Sequence, residues 1–131
     1  MKKIVRSVII FFVFMICVLA LVFFLLLRNS NEVLDASVEP IVFDTLNDGI
    51  YTGHYDGYRW SNTVEVTITD GSVTDIVIIE DVRFTDDVAS ALIINRVLQA
   101  EYLNIDDAVS GATITSIAYL KAIEDALNKA K

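Results

Sequence analysis

Cysteine, proline and histidine each occur once in this 131-residue chain, and the scarcity of the first and the last closes off some chemistry. A lone Cys17 excludes an intramolecular disulfide and a cysteine metal cluster. It sits within an apolar run and reads as a small apolar residue; Ile16 stands before it where a lipoprotein cleavage site takes a small side chain. A lone His54 leaves a Ser-His-Asp hydrolase one choice of base, and nothing in the sequence brings a nucleophile to it. The carboxylates have neither calcium-loop nor glycosidase-pair spacing, so no catalytic residue and no metal ligand is assigned. Basic residues are scarce beyond Arg28. Lys2, Lys3, Arg6 and Arg28 lie in the first 28 residues, which hold no acid, and the other 6 basic residues face all 18 acidic ones, a net of -12. A surface that acidic repels nucleic acid and anionic headgroups. It keeps a domain soluble, and a partner docking on it would be basic.

What is present begins with Val8 to Leu27, an uncharged run of 20 residues. About 20 apolar residues span a bilayer as a helix, the one form in which a single span satisfies its own backbone. Three basic residues precede the run and one follows it, so the positive-inside rule predicts the N-terminus in the cytoplasm and the remainder outside. A cleaved signal peptide is the rival. Its apolar core is usually shorter, and no small-x-small site follows this run, so an uncleaved anchor is expected. The expected organisation is an anchor at 1–28 with its span at 8–27, an acidic tether at 29–43 containing Pro40, and a folded domain at 44–131.

Within the domain, Ile50 to Tyr58 reads as a strand rich in aromatics and glycines. Thr63 to Thr69 alternates cleanly, with Val64, Val66 and Ile68 facing one way. Asp70-Gly71 suits a two-residue hairpin turn, after which Ser72 to Ile79 returns as a less alternating, more buried partner. Asp86 and Asp87 can open a helix running to about Leu103, with an apolar arc wide enough for packing on two sides. A last helix, about Thr115 to Ala130, places Tyr119, Leu120, Ala122, Ile123, Ala126, Leu127 and Ala130 on one face. Its polar face carries Lys121, Glu124 and an Asp125–Lys129 i,i+4 pair. The predicted class is α+β: a small antiparallel sheet packed with two or more helices, preceded by one transmembrane helix.

The densest chemistry lies in Asp107-Ala108-Val109-Ser110-Gly111-Ala112-Thr113-Ile114-Thr115-Ser116. Four hydroxyls and a glycine stand at the positive end of a helix, where phosphates settle. A plain helix-entry loop would also be rich in Ser and Thr, because both cap helices. Asp106 and Asp107 read as exposed loop charges, with a transient magnesium contact near a phosphate as the functional alternative. Tyr51, Tyr55, Tyr58 and Trp60 cluster upstream; core and sheet-surface packing is the ordinary use of such residues, and a planar ring could also stack on them.

That block resembles the flavinylation motif of the FMN-binding domain family, which includes the C subunit of the sodium-pumping NADH:quinone reductase and the G subunit of the Rnf complex. Asp48-Gly49-Ile50-Tyr51-Thr52-Gly53 and the Asp70-Gly71 hairpin are similar to smaller members, and the likeness covers roughly Asp44 to Lys131. The chain is a short form without the long insertions of the large members. The resemblance implies a phosphoester between FMN and Thr113, the last residue of the Ser-Gly-Ala-Thr box. FMN would be donated from FAD by a magnesium-dependent flavin transferase that recognises Asp107. Gly111 and Ala112 would leave room for phosphate and enzyme beside Ser110, while Thr115 and Ser116 would cap the helix or touch the phosphate. Tyr55, Tyr58 and Trp60 are the expected ring contacts, chosen on chemistry alone.

The implied function is a membrane-anchored extracytoplasmic electron carrier or redox-complex subunit rather than a self-contained enzyme. Its partners would be the transferase, a membrane electron donor or redox complex, and the bilayer. The rival is a membrane-tethered binding module with the same fold and no flavin. A third reading is noncovalent ligand binding in the same groove.

Overall fold

The structure is a computed structural model, and it describes residues 1–27, 30–83, 85, 87–104 and 112–131. Chain order is α1 (Lys2–Leu27), α2 (Ser30–Leu34), β1 (Ile41–Val42), β2 (Gly49–Tyr55), β3 (Asn62–Thr69), β4 (Ser72–Glu80), α3 (Asp87–Leu98), β5 (Tyr102–Leu103) and α4 (Thr113–Asn128). Single 3-10 turns, Phe43–Thr45 and Tyr58–Trp60, precede β2 and β3. The chain divides into two units, Met1–Ser30 and Asn31–Lys131.

The first unit is α1. Its 24-residue apolar stretch Lys3–Leu26 is long and apolar enough to cross a membrane, and none of it is buried in protein. At about 1.5 Å per residue such a stretch reaches roughly 36 Å, against about 30 Å of bilayer hydrocarbon.

The second unit is α+β, as expected. Strands β2, β3 and β4 form an antiparallel meander with β3 central, and β1 pairs with β5 in a separate two-stranded ladder. The period-two pattern of β3 is realised: Val64, Val66 and Ile68 are buried on the face that receives α4. Asp70 (φ 52°) and Gly71 (φ 69°) both adopt left-handed backbone, the pair of conformations a tight hairpin needs to match strand twist. The apolar stripe foreseen on α4 is buried in full, from Tyr119 to Ala130. The Tyr119 hydroxyl donates to Asp81 Oδ1, and Asn47 donates to the Ala130 carbonyl through both its main-chain N–H and its side-chain amide, each at 2.9 Å.

Five differences from the sequence reading follow from the packing. The compact unit begins at Asn31, not near Asp44, because Val33, Val38, Ile41 and Phe43 are core residues in a stretch whose acids Glu32, Asp35 and Glu39 make it read as a tether. That segment also covers one side of α4. Glu124, assigned above to a solvated face, is 5% exposed, pairs with Lys121 at 2.6 Å and accepts the Glu39 N–H at 3.4 Å. Helix α3 stops at Leu98 instead of about Leu103, since Tyr102 and Leu103 pair with Val42 and Ile41. It buries one side only (Ala89, Ser90, Ile93, Val97), leaving Val88 and Leu92 exposed. Strand β4 is likewise covered on one face, with Val73 and Ile76 inside and Val77 and Ile79 outside.

Candidate functional site

Thr113 opens α4 and is exposed, so the helix begins two residues ahead of the expected Thr115. The N-cap is Ala112 (φ -125°, ψ 35°), which has no side-chain oxygen to offer the first-turn amides. Those N–H groups have no intrahelical partner, and they carry the positive end of the helix dipole. Thr115 and Ser116 stand inside the first turn, where they cannot act as N-caps. Ser116 is fully buried, and both its N–H (2.9 Å) and its hydroxyl (2.8 Å) bond the Ala112 carbonyl.

An open pocket of about 380 Å³ lies over this helix head, lined by Leu34, Trp60, Ala112, Thr113, Ile114 and Thr115. Small-molecule pockets run to roughly 300–1,000 Å³. The fold thus brings Thr113, Ala112, Thr115 and Trp60 to one place, and no charged side chain is among the lining residues described. Ser110, Gly111, Asp106 and Asp107 lie outside the described residues. Tyr55 and Tyr58 do not line the pocket. Tyr55 is half-buried against the core beside Val33 and Ile117, and burial, then the charges of Glu32 and Asp56, push its phenol above the ordinary value. Tyr58 is 65% exposed.

The turn presenting Trp60 is tightly determined. Ser61 Oγ accepts the Gly57 N–H at 3.0 Å and donates to Asp56 Oδ1 at 3.1 Å. The Trp60 N–H reaches the Gly57 carbonyl at 3.1 Å, and the Arg83 N–H reaches the Arg59 carbonyl at 2.8 Å. These bonds hold Tyr58 at φ 57°, a left-handed conformation that a bulky residue adopts only where its surroundings enforce it. The Arg59 guanidinium lies 4.3 Å from the Trp60 ring centroid, a cation–π contact. Leu34, Ile114 and the turn's anchor Asn62 were missed by sequence reasoning. The apolar pair Val33-Leu34 in a polar stretch was the available signal for the first.

His54 stands opposite Thr63 across the β2–β3 pair. Its Nδ1 is 3.0 Å from Thr63 Oγ1, and that hydroxyl donates to Glu80 Oε2 at 3.0 Å. A hydroxyl has one proton and a carboxylate only accepts, so Nδ1 must donate and cannot take the threonine proton. Among the described residues no three His, Cys, Asp or Glu side chains gather to hold a metal ion.

A helix head whose N-cap, Ala112, has no side-chain oxygen, an exposed threonine and an indole meet on one pocket of a small α+β domain, an arrangement suited to a ligand with an anionic end and a planar end. A model of the FMN-binding domain family matches residues 57–128, from the Trp60 turn through the whole of α4. The chain belongs to the FMN-binding domain family. No curated protein and no solved structure matches it.

Proposed function

We propose that this chain is a membrane-anchored, extracytoplasmic flavoprotein that carries FMN in phosphoester linkage to Thr113 and relays electrons between a membrane donor and an extracytoplasmic acceptor. The observation that carries this reading is the exposed Thr113 at the head of a helix whose N-cap, Ala112, has no side-chain oxygen, sharing a pocket with Trp60 inside the family match. The first-turn amides of α4 would hold the anionic diester. Trp60, Leu34 and Ile114 would flank the ring. Bound FMN supplies one- and two-electron transfer through its isoalloxazine ring, which attachment by the phosphate leaves free.

Attachment needs a flavin transferase with magnesium. The Thr113 oxygen bonds to the FMN phosphorus of FAD as the pyrophosphate bond breaks, AMP leaves, and the threonine proton is released. Asp107 is the residue proposed for transferase recognition, and Ser110 and Gly111 for access to the hydroxyl. The positive bias of Lys2, Lys3 and Arg6 over Arg28 supports an inside N-terminus. An ester tether suits a site outside the cytoplasm, where a lost cofactor is not readily replaced.

The test is the intact mass of the full chain from membranes of cells co-expressing a flavin transferase, with Thr113→Ala beside it and in-gel flavin fluorescence after denaturation. A gain of FMN less water, absent from the variant, supports the proposal. An unmodified chain beside a demonstrably active transferase overturns it in favour of a tethered binding module, and flavin released on denaturation points to noncovalent binding.

A further inference from the structure

We infer that Asn62 is the positioning residue that fixes Trp60 against α4. The residue is 1% exposed, and its Nδ2 donates to the Trp60 carbonyl at 3.1 Å and to the Ala118 carbonyl at 3.0 Å. Both amide hydrogens are thereby spent, one on the turn that carries the indole and one on the helix that carries Thr113. No other uncharged side chain of that size offers two donors from one atom at an acceptor-free nitrogen. Aspartate has the same shape and, ionised, only accepts; leucine keeps the branched outline, is larger, and has no donor.

The other half of the amide gives the inference its edge. Among the described residues, Asn62 Oδ1 is buried with no hydrogen-bond partner. A buried acceptor left unpaired destabilises a fold, so as a purely structural element this amide is a poor choice. An aliphatic side chain would remove the unpaired oxygen together with the two donors. Ala118 lies within α4 and keeps its own i+4 backbone donor, and Trp60 belongs to a half-exposed turn. What the amide supplies that leucine cannot is the fixed placement of Trp60 beside the helix head. This rests on the proposed function only for its consequence, a ring held at a set distance from Thr113.

Trp60 is the sole tryptophan, so its fluorescence reports this placement without any cofactor. The full chain in detergent micelles is compared with Asn62→Leu and Asn62→Asp by emission maximum, acrylamide quenching and urea unfolding. The expected result is an unchanged urea midpoint in Asn62→Leu together with a shift of Trp60 emission to longer wavelength and stronger quenching. Asn62→Asp, which keeps the shape and removes both donors, gives the same shift should leucine not pack. Wild-type emission and quenching in either folded variant would overturn the inference. So would a shift that arises in both variants only as they unfold, because Asn62 would then be a structural residue alone. On chain carrying FMN, quenching of Trp60 by the flavin falls in the folded variants while the attached mass is retained. If wild-type chain takes up no FMN the proposed function fails, and the cofactor-free measurements still decide the role of Asn62.

Discussion

Gly53 lies directly on the backbone of Ala122: a Cβ at Gly53 would stand 1.9 Å from the Ala122 carbonyl oxygen and 2.6 Å from the Ala126 nitrogen. Strand β2 and helix α4 therefore approach too closely to admit a Cβ at Gly53, and the small side chains of Ala122 and Ala126 complete the fit. Neither neighbour is the end of a flexible side chain, so the backbone itself must move to admit one methyl group. Gly53→Ala is expected to cost more than the roughly 1–3 kcal/mol usual for overpacking. Urea denaturation of the variant checks this, and an unchanged midpoint would show that α4 is not held at that distance in solution.

Where the folded unit begins makes a second prediction. Val33, Val38, Ile41 and Phe43 are all buried, and Ile41 pairs with Leu103. Burial of one such side chain is worth about 1.5–3 kcal/mol, so four come to roughly 6–12 kcal/mol. Whole domains have only about 5–15 kcal/mol. A chain starting at Asn31 is expected to fold, with dispersed amide resonances and near-UV dichroism, while one starting at Asp44 is not. Equal dispersion in the two would remove residues 31–43 from the core.

The elements that could be read from the sequence are those whose own residues carry a period. Val64, Val66 and Ile68 declare a half-buried strand, Asp70-Gly71 declares its turn, and the stripe from Tyr119 to Ala130 declares the face of α4. Strands β1 and β5 hold two residues each and have no period to detect; they exist because Ile41 and Leu103 meet in the core. The same limit applied at the pocket. Thr113 was legible from its motif and Trp60 from its chemistry. Leu34 was hidden in an acidic stretch whose average reads as linker, and Asn62 looks like any turn residue until its two acceptors are in view. Tyr55 and Tyr58 share the aromatic character of Trp60, but the turn at Gly57 and Tyr58 sends only the third ring to the helix head.

Acid sensitivity should report one contact between β2 and α4. Partial desolvation raises the Asp125 carboxyl, but the Lys129 hydrogen bond (2.8 Å), the His54 N–H (2.9 Å) and the charges of Lys129 and His54 outweigh it and hold the group below the ordinary carboxylate value. A depressed folded value means that the unfolded chain binds the proton more readily. The stabilisation is present above the unfolded pKa, about 3.9, and is lost as pH falls through the lower folded value. Asp125 is partly exposed, so solvent screening limits the effect to about 0.2–1 kcal/mol. Asn at this position is expected to lower the urea midpoint at pH 7 and to leave it near wild type at pH 3. A gap of equal size at both values would assign the loss to something other than the carboxylate.

The last prediction concerns whether the attachment test reads chemistry or folding. Thr113 is the first residue of α4, exposed, and it follows an N-cap with no side chain to offer. Its methyl lies outside the core and its hydroxyl is not a cap, so Thr113→Ala should change stability by no more than about 0.5 kcal/mol. The slightly better helix propensity of Ala works in the same small range. Loss of attached FMN in a variant with an unchanged urea midpoint would therefore be loss of the accepting hydroxyl, and Thr113→Ser, which keeps a hydroxyl there, should retain the mass gain. Thr115 lines the same pocket and is the next hydroxyl within it, whereas Ser116 is buried and bonded to Ala112. If Thr113→Ala still gains the mass and Thr113→Ala/Thr115→Ala does not, the ester belongs to Thr115 and the assignment to Thr113 is wrong.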